Sequence, residues 1–277
     1  MPNTIIMEYV TNGLKGKSPT TQKSYEYALI QFETWLEGAG TDLEGFSRSD
    51  VQQYIDYLAA RKKAAATINK IFHAIKSFGR WAGKPEITSN IRVIKPKNIL
   101  NEAPSSLTRA ERLRLIRDID RSGSPRDYAI VITALNTGLR LSELVALDRS
   151  DIEISERKGL LLVRSGKGCK ERVIPMNSET RRALTSYLET RSDNLDALFL
   201  SNRFQRISNR SVQNIVEKHG VNFHALRHTF ITELVRSGRD FSIIQSLTGH
   251  NNADMLLRYS RPSEEDKQIA LEALFSS

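Results

Sequence analysis

Three short segments place charged and polar residues where helix packing alone does not ask for them. In Thr137-Gly138-Leu139-Arg140-Leu141-Ser142-Glu143-Leu144, Arg140 and Glu143 stand three apart, so on a helix they face the same way and can pair. A guanidinium stays charged at any relevant pH and grips phosphate through two parallel hydrogen bonds. Taken alone, the same pair reads as an ordinary surface ion pair. In Phe223-His224-Ala225-Leu226-Arg227-His228, His224 and Arg227 repeat that spacing, with His228 four beyond His224. Histidines at i and i+4 can hold a metal on a helix, but the interposed Arg227 would repel the cation, and phosphate binding is the better reading. In the third, Leu247-Thr248-Gly249-His250, Gly249 suits a close backbone approach between two helices, and Tyr259 follows nine positions after His250 between Arg258 and Arg261. A lone tyrosine on a helix is usually just amphipathic packing.

The whole chain fits a polyanionic partner without demanding one. Its 277 residues hold 41 Lys and Arg against 32 Asp and Glu, a net charge of +9. Such a surplus favours nucleic acid, with acidic membrane surfaces as the other candidate. The apolar fraction of 39% is that of a folded protein, and the length allows two domains with cores of their own. The single Cys169 cannot form an internal disulfide, no apolar run reaches the roughly 20 residues of a membrane span, and the start lacks a signal peptide. A soluble cytoplasmic protein is expected.

The elements that must carry these segments follow from capping signals and periodicity. Ser18-Pro19 opens a helix whose buried face carries Tyr25, Leu29, Phe32 and Leu36. Ser47 and Asp50 cap a second, with Val51, Tyr54, Ile55 and Leu58 inward, and a third carries Ile68, Ile71, Phe72, Ile75 and Phe78 before Gly83-Lys84-Pro85. Residues 1–90 thus read as a helical domain that starts near Ser18. The first hundred residues hold 14 Lys and Arg against nine Asp and Glu, densest at Arg61-Lys62-Lys63, which is either a solvated face or a phosphate contact. Residues 91–106, with Lys95, Pro96, Lys97 and Pro104, read as an extended basic linker. Residues 107–277 form the second domain. Thr108 and Glu111 cap a helix bearing Leu115, Ile116 and Ile119, and Ser124-Pro125 starts another. Strand-like runs at residues 160–163 and 173–174 flank a turn at Ser165-Gly166-Lys167-Gly168, and helices return after Pro175. The expected fold is mainly α with one small antiparallel β-sheet.

Together these segments resemble the tyrosine recombinases, the integrase and Xer-like enzymes, over almost the whole chain. T-G-x-R-x-S-E-L contains Arg140; Gly166-Lys167-Gly168-Cys169-Lys170-Glu171-Arg172 is similar to the family's G-K-G-x-K-x-R turn; H-x-L-R-H contains His224 and Arg227; L-G-H ends on His250; and Tyr259 falls at the nucleophile. Thr248 departs from the usual leucine, a change that touches packing. The resemblance implies a helical core-binding domain and a catalytic domain closing as a clamp on duplex DNA. It implies that Arg140 and Arg227 grip the non-bridging oxygens, that His250 adds a hydrogen bond, and that Tyr259 attacks phosphorus. Tyr259 has an ordinary pKa of about 10, nearby cations favour its phenolate, and His224 is the base or orienting group. Lys167 protonates the leaving 5′-oxygen. The product is a 3′-phosphotyrosyl link that keeps the phosphodiester's energy, so resealing needs neither ATP nor metal and no cofactor is expected.

Other residues have plainer readings. Glu143 orients Arg140, His228 supports His224 and Arg227 from behind, and His73 packs or touches DNA. Cys169, between two lysines, has no mechanistic use. Residues 263–277 read as a short apolar helix, which in the resembling family docks onto a neighbouring protomer and ties four subunits into a ring on two sites that exchange strands through a Holliday junction. A type IB topoisomerase-like nicking activity and a DNA-binding regulator on the same fold are the rivals. The tail argues against the first and six filled positions against the second. A helical domain starting near Ser18 leaves no room for an arm-binding domain, favouring an Xer-like or transposon-resolving system.

Overall fold

The computed structural model describes residues 3–94, 104–164, 171–249 and 254–260, together with Gln268, Leu271, Glu272 and Leu274. The chain divides into two compact units, Met1–Ile99 and Leu100–Ser277.

The first unit is helical. Helix α1 (Thr4–Glu8) runs through a π-helical turn, Tyr9–Gly13, before α2 (Pro19–Gly38), α3 (Arg48–Ala60) and α4 (Ala65–Trp81). The expected caps form: the Ser18 hydroxyl accepts from Thr21 N, and Ser47 and Asp50 complete a capping box. Leu29, Phe32, Leu36, Val51, Tyr54, Ile55, Leu58, Ile68, Ile75 and Phe78 are buried, while Tyr25, Ile71 and Phe72 are partly so. The unit does not start near Ser18, however. Ile6, Tyr9 and Leu14 are fully buried in the same core, with Tyr9 edge-on to Phe78 at 5.4 Å. A five-residue helix is too short to show a 3.6-residue period, so only tertiary contact reveals it. Residues 91–94 also lie against this unit: Gln52 accepts from Arg92 N and donates to Arg92 O, and Ile91 and Val93 pack on the core. Residues 95–103, most of the expected linker, lie outside the described residues.

The second unit contains α5 (Arg109–Arg121), α6 (Pro125–Thr137), α7 (Leu141–Ala146), strands β1 (Ile152–Ile154), β2 (Gly159–Val163) and β3 (Arg172–Pro175), then α8 (Ser178–Glu189), α9 (Asn209–Glu217), α10 (Phe223–Arg236), α11 (Phe241–Thr248) and α12 (Asp254–Leu257), with a final 3₁₀ turn, Arg258–Ser260. The sheet is antiparallel in the order β1-β2-β3, with Ile152 opposite Leu161 and Leu161 opposite Ile174. Strand β1 escaped the sequence reading because three residues show too little alternation. Helix α6 is the central rod, buried from Ala129 to Leu135, as its nearly unbroken apolar run requires. The fold is mainly α with a small antiparallel sheet, and among the described residues no helix is long and apolar enough to cross a membrane.

Candidate active site

The site is built where α6 ends, α7 begins, and the C-terminus of α11 meets α10. Gly138 takes the left-handed conformation (φ +61°) that ends α6, and the chain turns at once into α7 with Arg140 as its N-cap residue. Arg140 and Glu143 therefore pair across a helix start rather than along a helix. Glu143 accepts from the Arg140 backbone N–H at 2.8 Å and from its guanidinium at 2.8 Å. This is no surface ion pair, because the Glu143 side chain is only 11% exposed and Arg172 grips it bidentately, at 3.1 and 2.8 Å. Burial alone would raise the Glu143 carboxyl, but donation from Arg172 and from the backbone and side chain of Arg140 brings it down to about 2.

The last carbonyls of α11 gather three arginines. Arg172 Nε donates to Leu247 O at 2.9 Å, Arg227 Nη2 to Thr248 O at 2.8 Å, and Arg140 Nη2 to Gly249 O at 3.1 Å. A helix C-terminus has carbonyls with no intrahelical partner and a partial negative charge, so it tolerates a crowd of cations that would otherwise repel one another. Arg227 is 6% exposed and also donates to Gly138 O, which ties the two glycine-ended helices together. Its burial and the neighbouring Arg140 lower its pKa to about 10, leaving it protonated at neutral pH. Gly249 sits at φ +65°, and a Cβ there would lie 2.9 Å from Arg172 Nη1, so the close approach its sequence suggested is to an arginine. Thr248 is fully buried, with its hydroxyl donating to Ile244 O at 2.7 Å; its side chain packs and its carbonyl serves the site. The Arg140 side chain is 43% exposed, so the cluster is open to an incoming anion.

Tyr259 lies in the final 3₁₀ turn, 8% exposed, packed with Ile231, Ile244 and Leu256. Its hydroxyl meets His228 Nδ1 at 2.8 Å. Burial raises its pKa, and Arg227 and Arg258 only partly offset that, so the phenol is protonated in the free chain rather than held as phenolate. Burial, then His224, Arg258 and Arg227, lower the His228 pKa to about 4, which keeps the imidazole neutral. His224 is exposed at the first turn of α10, and its ring hydrogen-bonds none of the described residues, while its backbone N–H donates to the capping Asn222. The structure thus brings Arg140, Arg227 and Tyr259 to one region of the second unit. Lys167, Cys169 and His250 lie outside the described residues, while His73 is exposed on the first unit. Two side chains that the sequence reading left in the background, Arg172 and His228, stand in the middle of the arrangement. Arg172 was visible only as the last letter of G-K-G-x-K-x-R, and His228 only as the last of H-x-L-R-H.

Residues 105–266 match the phage integrase family, and residues 12–84 match the phage integrase N-terminal SAM-like domain. The tyrosine recombinase XerA of Thermococcus kodakarensis is 32% identical over 281 residues, covering 98% of this chain and 95% of the relative. The tyrosine recombinase XerD of Bifidobacterium longum is 30% identical over 278 residues, covering 91% and 89%. A crystal structure of XerA recombinase aligns over the whole of both chains with a TM-score of 0.54 and 28% identity. XerH bound to its difH substrate in a pre-cleavage complex shares the fold, with a TM-score of 0.71 at 18% identity over 97% of this chain and 84% of that one. With both parts of the chain matched and a buried tyrosine set beside an arginine cluster, this chain belongs to the phage integrase family of tyrosine recombinases.

Proposed function

We propose that this protein is an Xer-like site-specific recombinase that cuts and rejoins duplex DNA through Tyr259. The carrying observation is the buried Tyr259 in the electrostatic reach of Arg227, in a cluster of three arginines of which Arg140 is open to solvent and whose charge Glu143 balances only in part among the described residues. Such a cluster suits a phosphodiester and the added charge of its pentavalent transition state. Arg140 and Arg227 grip the non-bridging oxygens, and His250 adds a hydrogen bond. Tyr259 attacks phosphorus as its proton passes towards an α10 imidazole, the element on which the family motif sets His224, and Lys167 protonates the leaving 5′-oxygen. The 3′-phosphotyrosyl intermediate conserves the bond energy, so rejoining uses neither ATP nor metal. Relatives named as tyrosine recombinases XerA and XerD, and a neighbour solved on its recombination site, support DNA as the substrate.

The boundaries proposed for the working parts are a core-binding domain at residues 1–90, a linker at 91–106 and a catalytic domain at 107–277. Assembly as a tetramer through residues 263–277, with exchange through a Holliday junction in the cytoplasm, completes the reading. In the single chain Leu271 and Leu274 are 61% and 68% exposed, which suits a tail that covers them on a neighbouring protomer.

Covalent trapping tests the proposal. Nicked duplexes drawn from the DNA flanking the gene are incubated with wild-type protein and with Tyr259→Phe, then separated under denaturing conditions. A protein–DNA band with wild type that vanishes in the variant establishes the nucleophile. DNA binding by wild type with no such band supports the regulator reading instead.

A further inference from the structure

The motif-based reading sets His224 beside the nucleophile, yet the ring that meets Tyr259 is His228, one helical turn further along α10. We propose that His228 is a catalytic residue, accepting the hydrogen bond of the Tyr259 hydroxyl at Nδ1 and taking its proton as the tyrosine attacks. This rests on the reading of Tyr259 as nucleophile and adds the identity of its proton acceptor.

Three observations carry it. The hydroxyl and Nδ1 are 2.8 Å apart, within reach for direct transfer. Among the described residues the Tyr259 hydroxyl has no other hydrogen-bond partner, so its buried O–H satisfies itself by donating to His228, which assigns the imidazole the Nε2–H tautomer. The two rings also pack against each other, with centroids 5.8 Å apart, and Tyr259 is seated among Ile231, Ile244 and Leu256, so the pair is held by shape as well as by its hydrogen bond. His224, exposed at the helix start, is left to face the phosphate.

The step balances. The bond from Tyr259 Oη to phosphorus forms as the O–H bond breaks, its proton moving to His228 Nδ1. The bond from phosphorus to the 5′-oxygen breaks, and that oxygen takes a proton from a separate donor, assigned above to Lys167. Rejoining runs the same transfers backwards. In the free chain the partly buried imidazole is a weak base, held down first by desolvation and then by His224, Arg258 and Arg227. A phosphodiester on Arg227 brings negative charge into that surrounding and strengthens the base only when substrate is present.

The test compares wild type, His228→Ala and His228→Asn on a nicked duplex that traps the wild-type protein, and on the same duplex with a 5′-bridging phosphorothiolate, whose leaving sulfur needs no proton. The expected result is that His228→Ala slows cleavage about 100-fold or more on both duplexes with DNA affinity retained. His228→Asn, which can accept the hydrogen bond near the Nδ1 position but cannot take a proton, stays comparably slow, and recovery of the rate by Asn overturns proton transfer in favour of mere orientation. A wild-type cleavage rate in His228→Ala, or a defect that the phosphorothiolate relieves, overturns the proposal. Nitrogen-15 spectra of the histidine rings in wild-type protein and in Tyr259→Phe give a reading that does not depend on any His228 variant folding. An unprotonated Nδ1 whose shift moves when the tyrosine hydroxyl is removed is expected, and a protonated Nδ1 overturns the assignment. Should no duplex trap wild type at all, Tyr259 as nucleophile fails; trapping with an unaffected His228→Ala leaves Tyr259 in place and removes only His228.

Discussion

Two partly buried titratable groups, Glu143 and His228, lie among the arginines of the second unit and respond to acid in different windows. The His228 pKa in the folded protein is about 4, below its ordinary 6.5, so the unfolded chain binds the proton first. Stability is then whole above pH 6.5 and falls as pH drops towards 4, by up to roughly 3 kcal/mol. Glu143 is depressed from 4.5 to about 2, so its contribution is whole above pH 4.5 and is lost as pH falls towards 2, again by roughly 3 kcal/mol. Urea unfolding at a series of pH values should therefore show two successive losses, with His228→Gln removing the first and sparing the second. At neutral pH Glu143→Ala should destabilise by about 3 kcal/mol, since it strands Arg172 without its bidentate partner, and covalent trapping should fall with it.

At the scale of elements, the C-terminus of α11 does the organising. A short helix ends on Gly249 in the left-handed conformation, and its last carbonyls hold Arg172 from β3, Arg227 from α10 and Arg140 from the start of α7. Elements from as far back as residue 140 are tied to α11 at one point through backbone carbonyls, whose positions do not depend on side-chain identity. Gly249→Ala adds two costs: the left-handed backbone, about 1–2 kcal/mol, and a Cβ 2.9 Å from Arg172 Nη1. Gly238→Ala serves as its control, with φ +70° and nothing within 4 Å of the added atom. Thermal unfolding should show Gly249→Ala as the more destabilised of the two. Only Gly249→Ala should lose cleavage, because only there does the new methyl displace an arginine of the site.

For the whole molecule, the question is how a protein whose proposed nucleophile is buried in its own chain would work in the proposed assembly. Tyr259 is held within the second unit, against α10, so a single protomer contains both the tyrosine and the arginines. Assembly is then proposed to govern strand exchange rather than to complete the site. Deleting residues 263–277 should leave DNA binding and covalent trapping by single protomers measurable, while sedimentation on two-site DNA shows no tetramer and no recombinant product forms. A truncated protein that still yields recombinants would remove the tail from the assembly.

The order of motifs, the caps and the helical periods were legible in the sequence because each depends on neighbours within a few positions: Ser18 with Thr21, Thr108 with Glu111, and the inward stripe from Leu29 to Leu36. Arg140, Arg227 and Tyr259 could be picked out for the same reason, as letters in recognisable local strings. Helix α1 and strand β1 were not legible, since elements of five and three residues carry too little periodicity and owe their form to what packs on them. Nor were the partners across the site. That Glu143 serves Arg172 from 29 positions away, and that Tyr259 donates to His228 instead of His224, depends on how α10, β3 and the last turn meet. Spacing along one helix could name both histidines, but only the packing of another element against that helix decides which of them faces the tyrosine.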